Sequence, residues 1–296
     1  MDVRQVVTDR IIEMLAQGGN VFRERWTRAA SRGMPRNGRT GAPYHGVNVL
    51  LLWEAAIAQS YASNVWLTYR QAEALGAQVR MGEKAVMCAY FERMQRRAAD
   101  GAAGPDAPSE ESSSFLLCRP FWVFNVAQID GLPPAPASTA PRPEDTPDWA
   151  PVEAAMRLID AHGAKVRHGF AQAAYAPDSD LILMPDVGRF TSPAAYCATA
   201  MHELVHWTGH PDRLARAFGA RFGDAAYAFE ELVAELGSAF LLGHLGLVDA
   251  TIEGHAAYLD AWLQVLQRDR TAIFTAARLA GEAVEYLVGE LAMEGT

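Results

Sequence analysis

AAYCATAMHELVHWTGHPDRL, residues 194–214, decides how the rest of this chain is read. At its centre stand His202-Glu203-Leu204-Val205-His206. A helix turns every 3.6 residues, so positions four apart share one face, about 6 Å apart along the axis. Two imidazoles so spaced can share one divalent metal, and Glu203 lies beside them. A metal brings the pKa of a water it activates toward roughly 7, and a carboxylate in Glu203's position takes the proton as that water attacks a carbonyl. The helix has its own support. Ser192 and Pro193 read as N-cap and first helical residue, and Gly209 followed by Pro211 ends it. With eight histidines in 296 residues and Glu at roughly 6 % of positions, chance yields this motif about once in a hundred such chains. A helix with two surface histidines is therefore the weaker reading. Leu204, Val205 and Trp207 are expected to face the core while the histidines face a cleft.

Two histidines leave a catalytic zinc short of the three protein ligands it keeps. In EELVAE, residues 230–235, Glu231 and Glu235 are four apart on one face, so one can bind metal while the other orients a histidine from behind. This arrangement resembles the third-ligand helix of gluzincins, with Glu230 as the alternative shifted by one residue. Asp212 is the rival, because HELVHWTGHPD also has the spacing HExxHxxGxxD of metzincin-like sites with Asp in place of the third His. Three acids on an otherwise apolar helix need a reason, whereas Asp212 in a Pro-Asp turn does not. The expected ligands are His202, His206 and Glu231 around one divalent metal, zinc first and manganese second. Tyr258 and Trp262 share a helical face, and Tyr258 could stabilise an oxyanion, although a core role is the stronger reading for both.

The chain is long enough for two domains, and half of it is hydrophobic, so it is globular. No apolar run approaches the roughly 20 residues that span a membrane. MDVRQVVTDRIIEMLAQGG carries acids among its apolar residues and does not resemble a signal peptide, so a cytoplasmic location is expected. Cys88, Cys118 and Cys197 lack CxxC spacing, which argues against a disulfide framework and a cysteine-bound zinc. The net charge of −9 is unevenly spread. Residues 1–130 hold 15 Lys and Arg against 13 Asp and Glu, and the remainder hold 11 against 22. The acidic half would repel a polyanion, and the other half can present a basic surface.

Along the chain, residues 3–16 place Val3, Val6, Val7, Ile11, Met14 and Leu15 on one helical face. Between 20 and 40 come six arginines and one acid, with Trp26 inside the stretch and Tyr44 just after it. Guanidinium groups for phosphate and rings for base stacking are what a single-stranded nucleic-acid groove requires, although composition alone equally allows a solvated basic loop. GVNVLLLWEAAIAQSYA reads as a buried helix and WLTYRQAEALG as a turn with a short helix. AQVRMGEKAVMCAYFERM alternates like a hairpin turning at Met81–Lys84. Residues 98–114 are low in complexity, and FLLCRPFWVFN resumes as a strand whose Phe121, Trp122, Val123 and Phe124 are expected mostly buried. The Pro-rich stretch 133–149 reads as a linker. The expected class is α+β: a small mixed domain over 1–132, the linker, and over 150–296 a zincin-like metallopeptidase domain with long C-terminal helices.

Long blocks in both halves, RNGRTGAPYHGVNVLLL, YASNVWLTYRQAEALGAQVRMGEKA and FWVFNVAQIDGLP, then AMHELVHWTGHPDRLAR and RFGDAAYAFEELVAELGSAFLLG, resemble the ArdC-type antirestriction proteins of conjugative plasmids. That family includes the N-terminal part of the TraC primases. The resemblance implies a single-stranded-DNA-binding domain joined to a zincin-like metallopeptidase domain, and protection of incoming plasmid DNA from host restriction. It strengthens the nucleic-acid reading, with Arg23, Arg25, Arg36, Arg39, Arg80 and Lys84 on phosphate and Trp26, Tyr44, Trp66 and Tyr69 as stacking candidates, a core position being the alternative for Trp66. Two alternatives stay open: a DNA-tethered metalloprotease that cleaves DNA-associated proteins, and a DNA-coating protein whose metal site is silent.

Overall fold

A computed structural model describes residues 2–16, 33–95, 114–133, 150–218, 225–247 and 259–294. Helix α1 (Val3–Ala16) buries Val3, Val7, Ile11, Met14 and Leu15. Val6 sits at the rim of that stripe and is 39 % exposed, a departure from the expected face. Thr8 is buried in its stead because its hydroxyl donates to the Arg270 carbonyl at 2.8 Å. The N-terminal helix is thus fastened to the C-terminal part of the chain, and Asp2 adds an ion pair with Arg270.

The first half is built on a four-stranded sheet in the order β1-β2-β5-β4, from β1 (Arg36–Asn37), β2 (Val65–Leu67), β4 (Val86–Gln95) and β5 (Ser114–Asn125). Helix α2 (Val47–Ala58) precedes β2, and the short helix α3 (Tyr69–Ala74) follows it, opened by a capping box in which Thr68 and Gln71 exchange hydrogen bonds. The expected hairpin at Met81–Lys84 does not form. β3 (Gln78–Val79) pairs instead with β6 (Ile129–Asp130), and β4 runs antiparallel to β5 from Val86↔Val123 to Gln95↔Ser114. Local turn chemistry lost to a long-range partner of matching length, and Arg80 helps by tying its backbone N–H to the Gln128 carbonyl at 3.0 Å. The β5 alternation also corrects a burial expectation. Val123 is buried, but Trp122, on the opposite face, is 50 % exposed.

In the second half, α4 (Ala150–Ala161) leads to a three-stranded sheet ordered β7-β9-β8, from β7 (Lys165–Arg167), β8 (Ala174–Ala176) and β9 (Leu181–Leu183). Among the described residues, helices α5 (Pro193–Thr208), α6 (Ala225–Leu245), α7 (Leu259–Arg268) and α8 (Ala272–Glu294) follow. α6 packs between α5 and α8. The largest apolar core draws on both sides of the 133–149 segment, with Val7, Leu50 and Trp53 alongside Leu204, Leu241 and Ile273. Trp53 meets Phe240 at 5.9 Å between ring centroids. Among the described residues no helix is long and apolar enough to cross a membrane.

β4 is an edge strand, and the outward backbone of Ala89 would otherwise be an open template for pairing. Asn48, on α2, closes it: its amide donates to the Ala89 carbonyl at 2.7 Å and its oxygen accepts from the Ala89 N–H at 2.8 Å. Asn48→Leu strips both bonds from a partly buried pair, and we expect a stability loss of about 1–3 kcal/mol, read as a lower urea midpoint.

Candidate metal centre

Helix α5 begins as expected. Ser192 accepts from the Ala195 N–H, Pro193 is the first helical residue and Gly209 is the C-cap. Every residue from Ala195 to Thr208 is buried, because α5 is enclosed by α4, α6 and the small sheet. The histidines thus lie in the interior of the fold, with His202 1 % and His206 8 % exposed.

Helix α6 approaches α5 through Gly237. A Cβ on Gly237 would stand 2.8 and 2.9 Å from the two γ-carbons of Val205, so only hydrogen fits there. About one and two-thirds turns earlier on α6, Glu231 faces both histidines. His202 Nε2 stands 3.5 Å from Glu231 Oε2, and His206 Nε2 stands 3.6 Å from Glu231 Oε1. One ligand atom from each of the three residues lies within 4.8 Å of the others. Two imidazole nitrogens and a carboxylate oxygen are a donor set suited to a first-row divalent cation.

The other ring nitrogens face carboxylates too. His202 Nδ1 is 3.6 Å from Glu235, and His206 Nδ1 is 3.3 Å from Glu230. The Glu230 hydrogen bond orients the His206 imidazole with Nε2 toward Glu231, and Glu235 stands beside His202 Nδ1 at ion-pair distance. Burial disfavours the charged form of His206, but the Glu230 hydrogen bond and the charges of Glu203, Glu230 and Glu231 outweigh it and raise its pKa. Burial likewise works to raise Glu230, and the bonds from His206 and Arg216 bring it below the ordinary carboxylate value. Glu203 is also buried and adds its negative charge to this field. Phe218, 6.4 Å from the His206 ring, and Tyr175 beyond it form one wall.

The alternatives separate cleanly in space. Asp212, with its side chain 88 % exposed, stands beside His210 at 3.6 Å and outside the cluster. Glu230 and Glu235 take the places behind the two imidazoles. Arg216 is the residue that the sequence did not point to: it is buried, and its guanidinium holds Glu230 at 2.8 Å. Cys197 is a core thiol pushed up to about 11 by burial. Trp262 is buried, which fits the core role, and Tyr258 lies outside the described residues.

The nucleic-acid candidates are scattered more widely. Arg36, Arg39 and Lys84 are exposed, whereas Arg23, Arg25 and Trp26 lie outside the described residues. Arg80 already pairs with Glu83 at 2.8 Å and Asp130 at 3.2 Å. Trp66 is fully buried against α2, Val86 and Val123, so it packs the core and is no stacking platform. Tyr69 is 46 % exposed and lines an open cleft of about 620 Å³ with Gln78, Met81 and Phe124. Tyr44 stacks on Phe121 at 6.4 Å, and Phe121 meets the exposed Tyr90 at 6.0 Å. The alternation of β4 and β5 would have flagged Tyr90 and Phe121 had their pairing been known.

Residues 1–124 match the N-terminal domain of the anti-restriction factor ArdC, and residues 153–279 match a zincin-like metallopeptidase family. The crystal structure of metal-free antirestriction ArdC from plasmid R388 superposes with a TM-score of 0.78 at 37 % identity, covering 99 % of both chains. The chain belongs to the ArdC antirestriction family. The Mn(II)-bound structure of the R388 ArdC protein superposes with a TM-score of 0.75 at 36 % identity. An uncharacterized protein of Sinorhizobium fredii, y4eC, is 38 % identical over 97 % of this chain and 91 % of its own length. A DNA primase TraC of Escherichia coli is 40 % identical over 95 % of this chain, which spans 26 % of that longer protein.

The contact at Gly237 yields a test of how tightly the site depends on helix spacing. Gly237→Ala should cost about 1–3 kcal/mol through overpacking and weaken divalent-metal binding measured by calorimetry. Adding Val205→Ala should restore much of both.

Proposed function

We propose that this protein shields incoming plasmid DNA from restriction by binding it as a single strand, without sequence preference, and that it carries a divalent-metal-dependent peptidase centre. The division of labour runs along the chain: residues 1–132 for DNA, 133–149 as connector and 150–296 for the peptidase centre. The observation that carries the reading is the buried His202–His206–Glu231 cluster in a chain of the ArdC antirestriction family. His202, His206 and Glu231 would hold the metal, with zinc or manganese both compatible with the donor set. When bound, the metal supplies Lewis-acid activation of a peptide carbonyl and of the attacking water. Glu203 would accept a proton from an attacking water and return it to the departing amine, while Glu230 and Glu235 would keep the imidazoles aligned. Its substrate would be a protein met on or near DNA.

The nucleic-acid reading is supported by exposed Arg36, Arg39 and Lys84 and by the rings of Tyr44, Tyr69 and Tyr90. It is also supported by the relationship to proteins named DNA primases. Binding of a fluorescent oligonucleotide should fall steeply with salt. Each phosphate contact adds about 0.7 to the slope of log affinity against log salt, so Arg36→Ala and Arg39→Ala should each flatten the slope by about that amount. Unchanged slopes in both variants would remove these arginines from the interface.

Glu203→Gln separates catalysis from coating. The variant should keep metal and DNA binding and lose about 10²–10⁴-fold in peptide hydrolysis. Full protection by Glu203→Gln in a conjugation assay would assign protection to DNA coating alone. Loss of protection would assign it to cleavage.

A further inference from the structure

The loop after α5 sends a charged side chain back into the protein interior. Arg216 is 8 % exposed. Ala215 before it has a left-handed φ of 49°, a conformation that a non-glycine residue keeps only where its surroundings enforce it. The guanidinium then makes a set of directed bonds. Nη2 donates to the Val205 carbonyl at 2.6 Å and to Glu230 Oε1 at 2.8 Å. Nε donates to both Glu230 oxygens, at 3.2 and 3.1 Å, and Nη1 to Thr208 Oγ1 at 2.8 Å. Room for this side chain comes from Gly209: a Cβ there would stand 2.9 Å from Arg216 Nη2.

These bonds tie the last turn of α5 to Glu230 on α6, and Glu230 Oε1 is also the atom that faces His206 Nδ1 at 3.3 Å. A guanidinium meeting a carboxylate through two nitrogens fixes the plane of that carboxylate as well as its charge, which an ammonium cannot do. We propose that Arg216 is a positioning residue for the metal centre: by clamping Glu230 it orients the His206 imidazole so that Nε2 faces the position shared with His202 and Glu231. This rests on the metal reading above and adds to it a third layer, behind the imidazole and its carboxylate, beginning outside the HExxH motif and the acidic helix.

The test is a double-mutant cycle on the full chain, reading Zn(II) and Mn(II) affinity by competition with a chelator. Arg216→Met and Arg216→Lys should each weaken binding by about 10- to 100-fold, the usual effect of losing a group that orients a ligand. Glu230→Gln should do the same, and Arg216→Met with Glu230→Gln should be no weaker than Glu230→Gln alone. Combined with Glu235→Gln, which acts on the other histidine, Arg216→Met should instead multiply the losses. Wild-type affinity in the Arg216 variants, or losses that multiply between 216 and 230, would overturn the proposal. Should Arg216→Met fail to fold because Glu230 is left charged and buried, Arg216→Lys, which retains the charge, decides alone. A wild-type protein that binds neither ion sinks the metal reading itself, and this inference with it.

Discussion

The site depends on one close approach. Gly237 lets α6 lie directly on Val205 of α5, and that spacing brings the Glu231 carboxylate within 3.5 and 3.6 Å of two imidazole nitrogens. A methyl group at the contact, 2.8 Å from a Val205 γ-carbon, would force the helices or the Val205 side chain to shift, against an interior that is packed like a crystal and relaxes only partly. The surrounding layers keep the two helices from sliding. α8 lies along α6, α4 and the small sheet back α5, and the N-terminal half adds Trp53 against Phe240. Helices from both halves thus contribute to holding the two ligand-bearing helices in register.

Electrostatics gives the same arrangement its purpose. Glu203, Glu230, Glu231 and Glu235 are all buried, beside two histidines and the guanidinium of Arg216. Removing charged carboxylates from water costs far more than their packing returns unless cations answer them. Arg216 answers Glu230. A divalent cation between His202, His206 and Glu231 would add positive charge beside these carboxylates, so the protein and the metal would complement one another. The field that raises the pKa of His206 is the same field that would favour a cation at its Nε2.

How far this was legible in the sequence varies with the range of the interaction that decides each feature. The α5 helix and its caps follow from local spacing, from Ser192 and Pro193 to Gly209. Glu231 was legible because an acid in an apolar helix demands a partner. The lack of a role for Asp212 in the cluster follows from its exposed turn. Arg216 was not legible, since its burial depends on the strained backbone at Ala215 and on a glutamate fourteen residues later. The hairpin expected at Met81–Lys84 failed for a related reason: a local turn signal was outweighed by the longer match between β4 and β5. Trp66, a stacking candidate with a core position as its alternative, is core, and Trp122, read as core, is half exposed, because only the sheet order shows which face a helix covers.

The central claim is that α5 and α6 together make one metal site. Metal stoichiometry of the purified full chain tests it most directly, comparing wild type with Glu231→Ala and Asp212→Ala by elemental analysis after dialysis against trace Zn(II). The account predicts one equivalent in the wild type and in Asp212→Ala, and a large loss in Glu231→Ala. Retention in Glu231→Ala with loss in Asp212→Ala would contradict it.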